Sequence, residues 1–223
     1  MMQISSVNVG QAQVIANAGK SGKTGIYKQP TDQPVTVTAL GLVNDAVLDT
    51  KHHGGVDQAV YLYGTPDYAW WSQSLGSELA PGTFGENLTI TELESAPLRI
   101  GDRLYFATVI LEVTAPRLPC STLAARMGDP HFVKRFRAAE RPGAYCRVIQ
   151  TGAIRQGEAV RLEPFTGDPL TVLDLFRFSY EKDLSEATLE QILAAPVDIR
   201  GRRDYEKKLA ELKQTRDGSL TNS

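Results

Sequence analysis

The feature that most constrains the fold is a run of short strand-like segments over residues 1–165. Each segment is rich in β-branched or aromatic residues and is bounded by glycine, proline or aspartate, which favour turns. The segments lie at residues 35–40, 59–63, 88–91, 109–113, 144–149 and 159–162. Many short strands joined by tight turns are typical of small barrels. The sequence therefore predicts a mainly β fold whose strands form a closed or nearly closed barrel.

Helical patterns interrupt these strands in three places. Residues 66–75 form one candidate helix, and residues 120–127 form a second that ends before Gly128. A third helix is predicted to begin at Asp129, because aspartate is a good N-cap and Pro130 suits the first helical position.

The pattern changes after residues 164–169, where two prolines and a glycine indicate a boundary. Three helices are predicted beyond it. They cover residues 170–180, a segment capped by Asp183 that ends before Pro196, and residues 198–213. The sequence thus predicts a β-barrel domain over residues 1–165, a three-helix domain over residues 170–213 and a disordered tail over residues 214–223.

Charge and cysteine content exclude several classes of protein. The 223 residues carry a net charge of −2, so no overall basic field attracts nucleic acid or an acidic membrane. Two cysteines are too few for a disulfide framework, a four-thiolate zinc site or an iron–sulfur cluster. The sequence has neither a visible secretory signal nor an apolar run long enough to span a bilayer. Free thiols and these absences favour a cytoplasmic protein.

Cys120 is the strongest candidate for a reactive or metal-binding side chain. It follows Pro116–Pro119 at a predicted helix start, where the helix dipole and nearby Arg117 favour the thiolate. A thiolate is a nucleophile and a ligand for soft metals. Cys146 instead alternates with Val148 on one strand face, as a buried hydrophobic residue does. Hydrolysis by Cys120 would need a histidine partner, for which His53 and His131 both remain open.

Other segments carry groups that suit an anion or a heterocycle. Lys51–Gly55 places His52 and His53 on opposite sides of an extended chain, so together they do not hold one metal. A single imidazole there suits an oxyanion, and a surface turn explains the segment equally well. Glu86 and Asn87 either cap a turn or hydrogen-bond a heterocycle, and Lys23 or Lys28 is a candidate anion ligand. Basic residues between Arg117 and Arg147 are expected mainly to form a solvated helix face; they are Arg126, His131, Lys134, Arg135, Arg137 and Arg141.

Five motifs together resemble the MOSC domain, named after the C-terminal domain of molybdenum-cofactor sulfurases. The resemblance is closest to the bacterial YiiM subgroup, in which a MOSC β-barrel precedes a small C-terminal triple-helix domain. The motifs run in family order at residues 40–45, 52–61, 82–89, 116–120 and 143–148.

The resemblance implies a molybdenum cofactor, in which a metal–molybdopterin group is ligated by Cys120. It further implies cofactor-binding roles, which fall on Lys28, His53, Glu86, Asn87, Arg117 and Ser121. Related proteins reduce N-hydroxylated compounds, so the expected activity is a molybdenum-dependent oxidoreductase that acts on small N-hydroxylated substrates. N-hydroxylated purine bases are one such class, and their reduction would be a detoxification.

Two further interpretations stay open. The protein is alternatively a carrier of the cofactor or of sulfur, with a persulfide on Cys120, or it binds nucleic acid through its helical tail. Residues 170–223 hold nine basic and ten acidic residues, which disfavours stable nucleic-acid binding. The chain has no dinucleotide fingerprint, so a separate reductase is expected to supply electrons. The C-terminal helices are expected to dock that partner or a second copy in a homodimer, and no membrane partner is expected.

Overall fold

The computed structural model describes residues 1–15, 22–48 and 54–220, with the backbone alone for residues 216–220. Its strands are β1 (Ile4–Gly10), β2 (Gln13–Val14), β3 (Lys23–Thr24), β4 (Lys28–Pro30), β5 (Val35–Thr38), β6 (Gly41–Leu42), β7 (Val60–Gly64), β8 (Leu88–Ile90), β9 (Arg103–Tyr105), β10 (Ile110–Pro116), β11 (Ala144–Gln150), β12 (Gly152–Ile154) and β13 (Arg161–Glu163). Its helices are α1 (Thr65–Leu75), α2 (Ser121–Met127), α3 (Phe132–Ala139), α4 (Val172–Phe178), α5 (Glu186–Ala194) and α6 (Ile199–Leu220). A short 3₁₀ helix covers Val56–Gln58.

Eight of these strands form the main sheet, in the order β13-β9-β10-β11-β7-β8-β1-β4. Its ladders are antiparallel except for β7 with β8, which are parallel and are connected through α1. Strands β12, β5 and β6 form a second, three-stranded sheet, and β2 pairs with β3. The fold is therefore mixed and dominated by sheet, with six α-helices among the described residues.

The predicted closed barrel is not confirmed. In the described part of the chain, no ladder joins the outer strands β4 and β13 of the main sheet. Contact between the first residues and the chain leading into β13 consists of an isolated bridge from Gln3 to Ala159 and flanking backbone hydrogen bonds. Of the described N-terminal residues, only residues 2–4 form backbone hydrogen bonds with residues 157–160, and so short a stretch of chain is too little for a regular ladder.

The C-terminal helices share one apolar core with the sheet. Leu62 and Val113 on β7 and β10 are fully buried in the same cluster as Leu175, Leu189 and Ile192 of α4 and α5. Burial of a leucine or isoleucine side chain contributes about 1.5–3 kcal/mol to folding. The helices thus cover a face of the sheet that would otherwise be exposed to water.

A second cluster, which is mainly aromatic, lies beside this core. Tyr63 stacks on Phe84 with ring centroids 4.6 Å apart, and Trp71 of α1 packs on Phe136 of α3 at 5.9 Å. The Trp71 indole N–H donates to the Tyr63 hydroxyl at 2.8 Å. This cluster fixes α1 and α3 against the loop that contains Phe84.

Helix positions were predicted well, but two N-caps were wrong. The N-cap position of α3 is held by His131, which makes no side-chain capping hydrogen bond, and Asp129 Oδ1 accepts from the His131 N–H in the preceding turn. Helix α5 is capped by Ser185, whose hydroxyl accepts from the Thr188 N–H, rather than by Asp183. Serine and aspartate are similarly good caps, so residue type alone does not choose between close neighbours.

The last helix is longer than predicted. Helix α6 begins at Ile199 and continues past Lys213 to Leu220, so most of the predicted disordered tail is helical. Within this extension Gln214, Arg216 and Leu220 are good helix formers, whereas Gly218 is a poor one. Of the described helices, none combines the length and the apolar character that a membrane crossing requires.

Candidate active site

The candidate site begins where β10 ends and α2 starts. Cys120 is the N-cap of α2, with an extended backbone at φ −133° and ψ 171°, and its side chain is partly exposed. Cys146 lies on β11 opposite Val113 and is fully buried, as its strand position predicted. Burial also raises the pKa of the Cys146 thiol, which keeps it protonated. Cys120 is therefore the thiol that a ligand can reach.

Arg117 places a positive charge beside Cys120. Its side chain is 4% exposed, and its Nη1 donates to the Phe84 carbonyl. Its guanidinium carbon lies 5.1 Å from the centre of the Tyr61 ring. Burial by itself lowers the pKa of Arg117, but the nearby acidic groups of Tyr145, Tyr61 and Cys120 raise it above the ordinary arginine value. Arg117 Nε is buried without a hydrogen-bond partner among the described residues, so this side chain retains a donor for a ligand.

Two tyrosines form a wall next to Arg117. The rings of Tyr61 and Tyr145 lie 4.9 Å apart between centroids, on the neighbouring strands β7 and β11. Burial raises the pKa of both hydroxyls, while the Arg117 charge opposes that increase. Both phenols therefore remain neutral around pH 7. Tyr145 also interacts electrostatically with Cys120, which places this wall within range of the thiol.

Lys28 lies in a buried cluster of polar side chains that the sequence did not predict. Its Nζ contacts both carboxylate oxygens of Asp45 at 2.5 Å. Asp45 also accepts from the Asn87 side-chain amide at 2.8 Å and from the Gly10 N–H at 2.7 Å. Burial lowers the pKa of Lys28, and the Asp45 charge partly offsets this. The candidate anion ligand Lys28 thus already has one carboxylate partner.

The turn from Phe84 to Asn87 holds the site together. Gly85 adopts φ 76°, and a Cβ there would lie 2.8 Å from the Ile26 side chain, so glycine is required for two reasons. Asn87 Oδ1 accepts from the Tyr61 N–H at 3.1 Å, which ties the turn to β7. The side-chain amide of Asn87 thus links β7 to the Lys28–Asp45 pair.

Glu86 in the same turn is fully buried. Its Oε1 accepts from the Tyr68 hydroxyl at 2.6 Å, the Gly82 N–H at 2.7 Å and the Thr89 hydroxyl at 2.8 Å. Burial raises the pKa of the Glu86 carboxyl, although these hydrogen bonds oppose the increase. Its Oε2 is buried without a partner among the described residues. Oε1 therefore supports the fold, while Oε2 can still accept a hydrogen bond.

The other predicted site residues are placed differently. Ser121 lies exposed at the start of α2, one residue beyond Cys120, and His131 is exposed at the N-cap of α3. His53 belongs to residues 49–53, which lie outside the described part of the chain. The structure thus brings Lys28, Asn87 and Arg117 together around the Phe84–Asn87 turn, with Cys120 next to Arg117.

Sequence reasoning missed three residues of this neighbourhood. Asp45 ends the motif at residues 40–45, so the resemblance contained its signal although no role was assigned. Tyr61 and Tyr145 also lie within motifs, but alternation on a strand does not reveal that two aromatic residues will meet across it.

A comparison with protein families identifies this arrangement. The MOSC domain model matches residues 49–161, which include Phe84–Asn87, Arg117, Cys120 and Tyr145. The chain belongs to the MOSC domain family.

Relatives of this MOSC protein extend the match well beyond the domain. The uncharacterized protein YflK of Bacillus subtilis is 30% identical over 189 residues, which are 85% of this chain and 86% of YflK. A protein of Gibberella moniliformis named "Reductase" is 32% identical over 195 residues, or 83% of this chain. The match spans only 35% of that longer protein. YiiM of Escherichia coli is 25% identical over 174 residues, with 76% of this chain and 77% of YiiM covered.

Solved structures show the same fold. The crystal structure of YiiM from Geobacillus stearothermophilus superposes with a TM-score of 0.77 at 28% identity, over 94% of this chain and all of that one. YiiM from Escherichia coli superposes with a TM-score of 0.74 at 21% identity, over 95% and 94% of the two chains. This MOSC protein therefore has a YiiM-like fold, including its C-terminal helices.

The residues of the site fit the molybdenum cofactor that the family implies. No cluster of three or more His, Cys, Asp or Glu side chains in the described ranges could bind a metal ion by itself. A metal bound here by Cys120 would thus take its other ligands from a non-protein group. An anionic group would meet the unpartnered Nε of Arg117 and the ammonium of Lys28. Thiolate, cation and amide donors therefore suit a soft metal carried by an anionic cofactor.

Proposed function

We propose that this MOSC protein is a molybdenum-cofactor-dependent reductase of small N-hydroxylated compounds, with Cys120 as the protein ligand of the metal. The observation that carries the proposal is the position of a reachable thiol next to a buried arginine that retains a donor. Membership of the MOSC family supports the cofactor. The name of the Gibberella relative, "Reductase", supports the reaction class.

Each residue of the site has a specific task in this proposal. Cys120 binds the metal as a thiolate, and Arg117 stabilises that thiolate by its charge. Lys28 and Asn87 hold the anionic part of the cofactor, Lys28 with the proton that is not directed at Asp45. When bound, the cofactor supplies two-electron redox chemistry, which amino-acid side chains do not provide.

The tyrosine wall prepares the site for a neutral, polar substrate. Because the pKa values of Tyr61 and Tyr145 are raised by burial, their phenols keep their protons at neutral pH. Tyr61 donates its hydrogen bond to the Pro142 carbonyl at 2.8 Å, which fixes the ring. The rings thus exclude water beside Cys120 while adding no negative charge that would oppose a thiolate or an anion.

The reaction consumes two electrons and two protons. The N–O bond of an N-hydroxylated amine breaks, two protons are taken up, and the products are the amine and one water molecule.

We propose that a separate reductase supplies the electrons and docks on the C-terminal helices. Salt-sensitive binding of duplex DNA by the intact protein at physiological ionic strength would instead assign those helices to nucleic acid.

Turnover by the purified holoprotein tests the proposal. The protein is produced in a host that makes the molybdenum cofactor and is then given a chemical reductant and an N-hydroxylated purine. Many turnovers to the amine are expected, and Cys120→Ser is expected to abolish them. Transfer of at most one sulfur atom per protein, without amine formation, would identify a carrier that uses a Cys120 persulfide.

A further inference from the structure

The beginning of α6 is fixed to the sheet by charged groups. Asp57 Oδ2 accepts from the Ile199 N–H at 2.8 Å, and Asp57 Oδ1 pairs with Arg147 Nε of β11 at 3.0 Å. Arg147 Nη2 also donates to the carbonyls of Pro196 and Val197 at 2.9 and 3.1 Å. The first turn of α6 therefore has a defined position relative to β11 and the 3₁₀ helix.

Arg200 extends from this turn to Gly54 and Gln58, on either side of the short 3₁₀ helix. The Arg200 backbone N–H donates a hydrogen bond to Asp198 Oδ1 at 3.1 Å, and its side-chain Nη2 donates to the Gly54 carbonyl at 2.7 Å. Its Nη1 lies 3.5 Å from Gln58 Oε1. A residue of the C-terminal helix thus holds a turn that is 146 positions earlier in the chain.

The two glycines of this turn match the approach of Arg200. Gly54 and Gly55 adopt φ 73° and 85°, which favours glycine. A Cβ at Gly55 would lie 3.2 Å from Arg200 Nη2, and a Cβ at Gly54 would lie 2.6 Å from Val47 Cγ1. The Gly-Gly pair is therefore explained by backbone conformation together with close packing against Val47 and Arg200.

The 3₁₀ helix that follows this turn lies against the strand of Tyr145, because Thr114 Oγ1 is 2.5 Å from the Asp57 carbonyl oxygen and 3.1 Å from the Tyr145 carbonyl oxygen. Arg200 lowers the pKa of Tyr145, in opposition to the larger increase caused by burial. Tyr145 in turn interacts with Arg117 and Cys120. Arg200 is thus within electrostatic range of the tyrosine wall as well as bonded to the turn at Gly54.

We infer that Arg200 is a positioning residue of the candidate site: it fixes the Gly54–Gly55 turn beside the tyrosine wall, and the C-terminal helix is thereby part of the site. The relevance of this turn to catalysis rests on the proposed function, but its fixation by Arg200 does not. The C-terminal helices accordingly have a task at the site in addition to covering the sheet.

Hydrogen exchange at one backbone amide tests the inference directly. The Gln58 N–H donates to the Gly55 carbonyl at 3.1 Å, so its protection measures how firmly the turn is held. In Arg200→Ala, exchange of the Gln58 amide should be about tenfold faster or more, because a charge-assisted hydrogen bond is lost. Arg200→Lys should restore part of the protection, since an ammonium can still donate to the Gly54 carbonyl. Arg203→Ala, an exposed position on the same helix, is the matched control and should not change it.

A second measurement separates positioning from general stability. In the holoprotein, Arg200→Ala should raise KM for an N-hydroxylated purine more than it lowers kcat, and Arg200→Lys should recover part of KM. Unchanged Gln58 exchange in Arg200→Ala would overturn the inference, whatever the activity. Equal loss of protection at Gln58 and throughout the core would also overturn it, because Arg200 would then be only a stabilising residue. Faster Gln58 exchange in a protein without reductase activity would retain the positioning role and reject the proposed function.

Discussion

Lys28 and Asp45 form a buried ion pair in which one ammonium nitrogen lies 2.5 Å from both carboxylate oxygens. Their side chains are 7% and 4% exposed, so water screens the pair little. The free energy of such a pair relative to two apolar residues is small, but removal of one partner leaves a buried charge without compensation.

Asp45→Asn should therefore lower the free energy of unfolding by about 3–5 kcal/mol at pH 7. Burial already lowers the pKa of Lys28, and without Asp45 that pKa should fall further. Between this folded value and the higher unfolded value, the unfolded chain binds more protons, so the stability of Asp45→Asn should rise with pH. Urea denaturation at a series of pH values measures the slope. Lys28→Met/Asp45→Asn, which lacks both charges, is the control and should lose this slope.

The two cysteines should differ completely in metal binding. Cys120→Ser should purify folded but without molybdenum, because the serine hydroxyl is a poor ligand for a soft metal. Cys146→Ser should keep its molybdenum and lose about 1–3 kcal/mol of stability, since it places a hydroxyl in an apolar core. Elemental analysis of both proteins from a cofactor-competent host is the measurement. Normal molybdenum content in Cys120→Ser would refute metal ligation by that residue.

Arg117 should control how long the cofactor stays bound. Arg117→Ala removes a buried charge and a free Nε donor, so the cofactor should dissociate about 10 to 100 times faster. Arg117→Lys keeps the charge but not the planar guanidinium, and it should retain the cofactor to an intermediate degree. Pterin release on gel filtration follows this loss. Equal retention by all three proteins would show that Arg117 serves only to support the Phe84 carbonyl.

Glu86 should make stability depend on pH in the opposite direction from Lys28. Burial raises the pKa of the Glu86 carboxyl above the ordinary value of 4.5, so the folded protein binds the carboxyl proton more strongly than the unfolded chain does. This contribution is complete below pH 4.5 and is lost as pH rises through the folded pKa. Glu86→Gln keeps an oxygen for the hydrogen bonds and cannot ionise. Its stability relative to the natural protein should therefore increase over that pH range, which thermal denaturation can follow. A difference that does not vary with pH would contradict the raised pKa.

A chain that ends at Pro164 should not fold as an independent domain. It lacks Leu170, Val172 and Phe176, all at most 1% exposed, and it exposes the sheet residues that they cover. Aggregation or loss of the near-ultraviolet circular dichroism signal is expected. A chain that ends at Lys213 keeps Tyr205 and Leu209 in the core and serves as the control. Native tertiary structure in the shorter chain would show that the sheet is self-sufficient.

The sequence predicted local structure better than closure of the sheet. Alternating residues located β7, β10 and β11, because strand formation depends on short-range patterns. Closure depends on how many residues pair between the outer strands β4 and β13 of the sheet. No local sequence pattern determines that number. The cap of α5 shows the same limit at smaller scale, since Ser185 and Asp183 are equivalent by composition.

The candidate site was predictable only where residue chemistry is specific. Cys120 and Arg117 were identified because a predicted helix start and a nearby arginine favour a thiolate, and the structure places the two residues together. Asp45 and Arg200 were not assigned because their partners are distant in sequence, Lys28 for one and Gly54 for the other. Without knowledge of the topology, an aspartate in a turn and an arginine on a polar helix do not differ from ordinary surface residues.

The contact between Arg200 and Gly54 also concerns how the protein is made. A nascent chain presents Gly54 long before the ribosome has released Arg200, because 146 positions separate the two residues. Until α6 emerges, the turn lacks the side chain that fixes it. Assembly of this turn thus follows synthesis of α6, and a cofactor could enter the finished arrangement only after Arg200 has emerged from the ribosome.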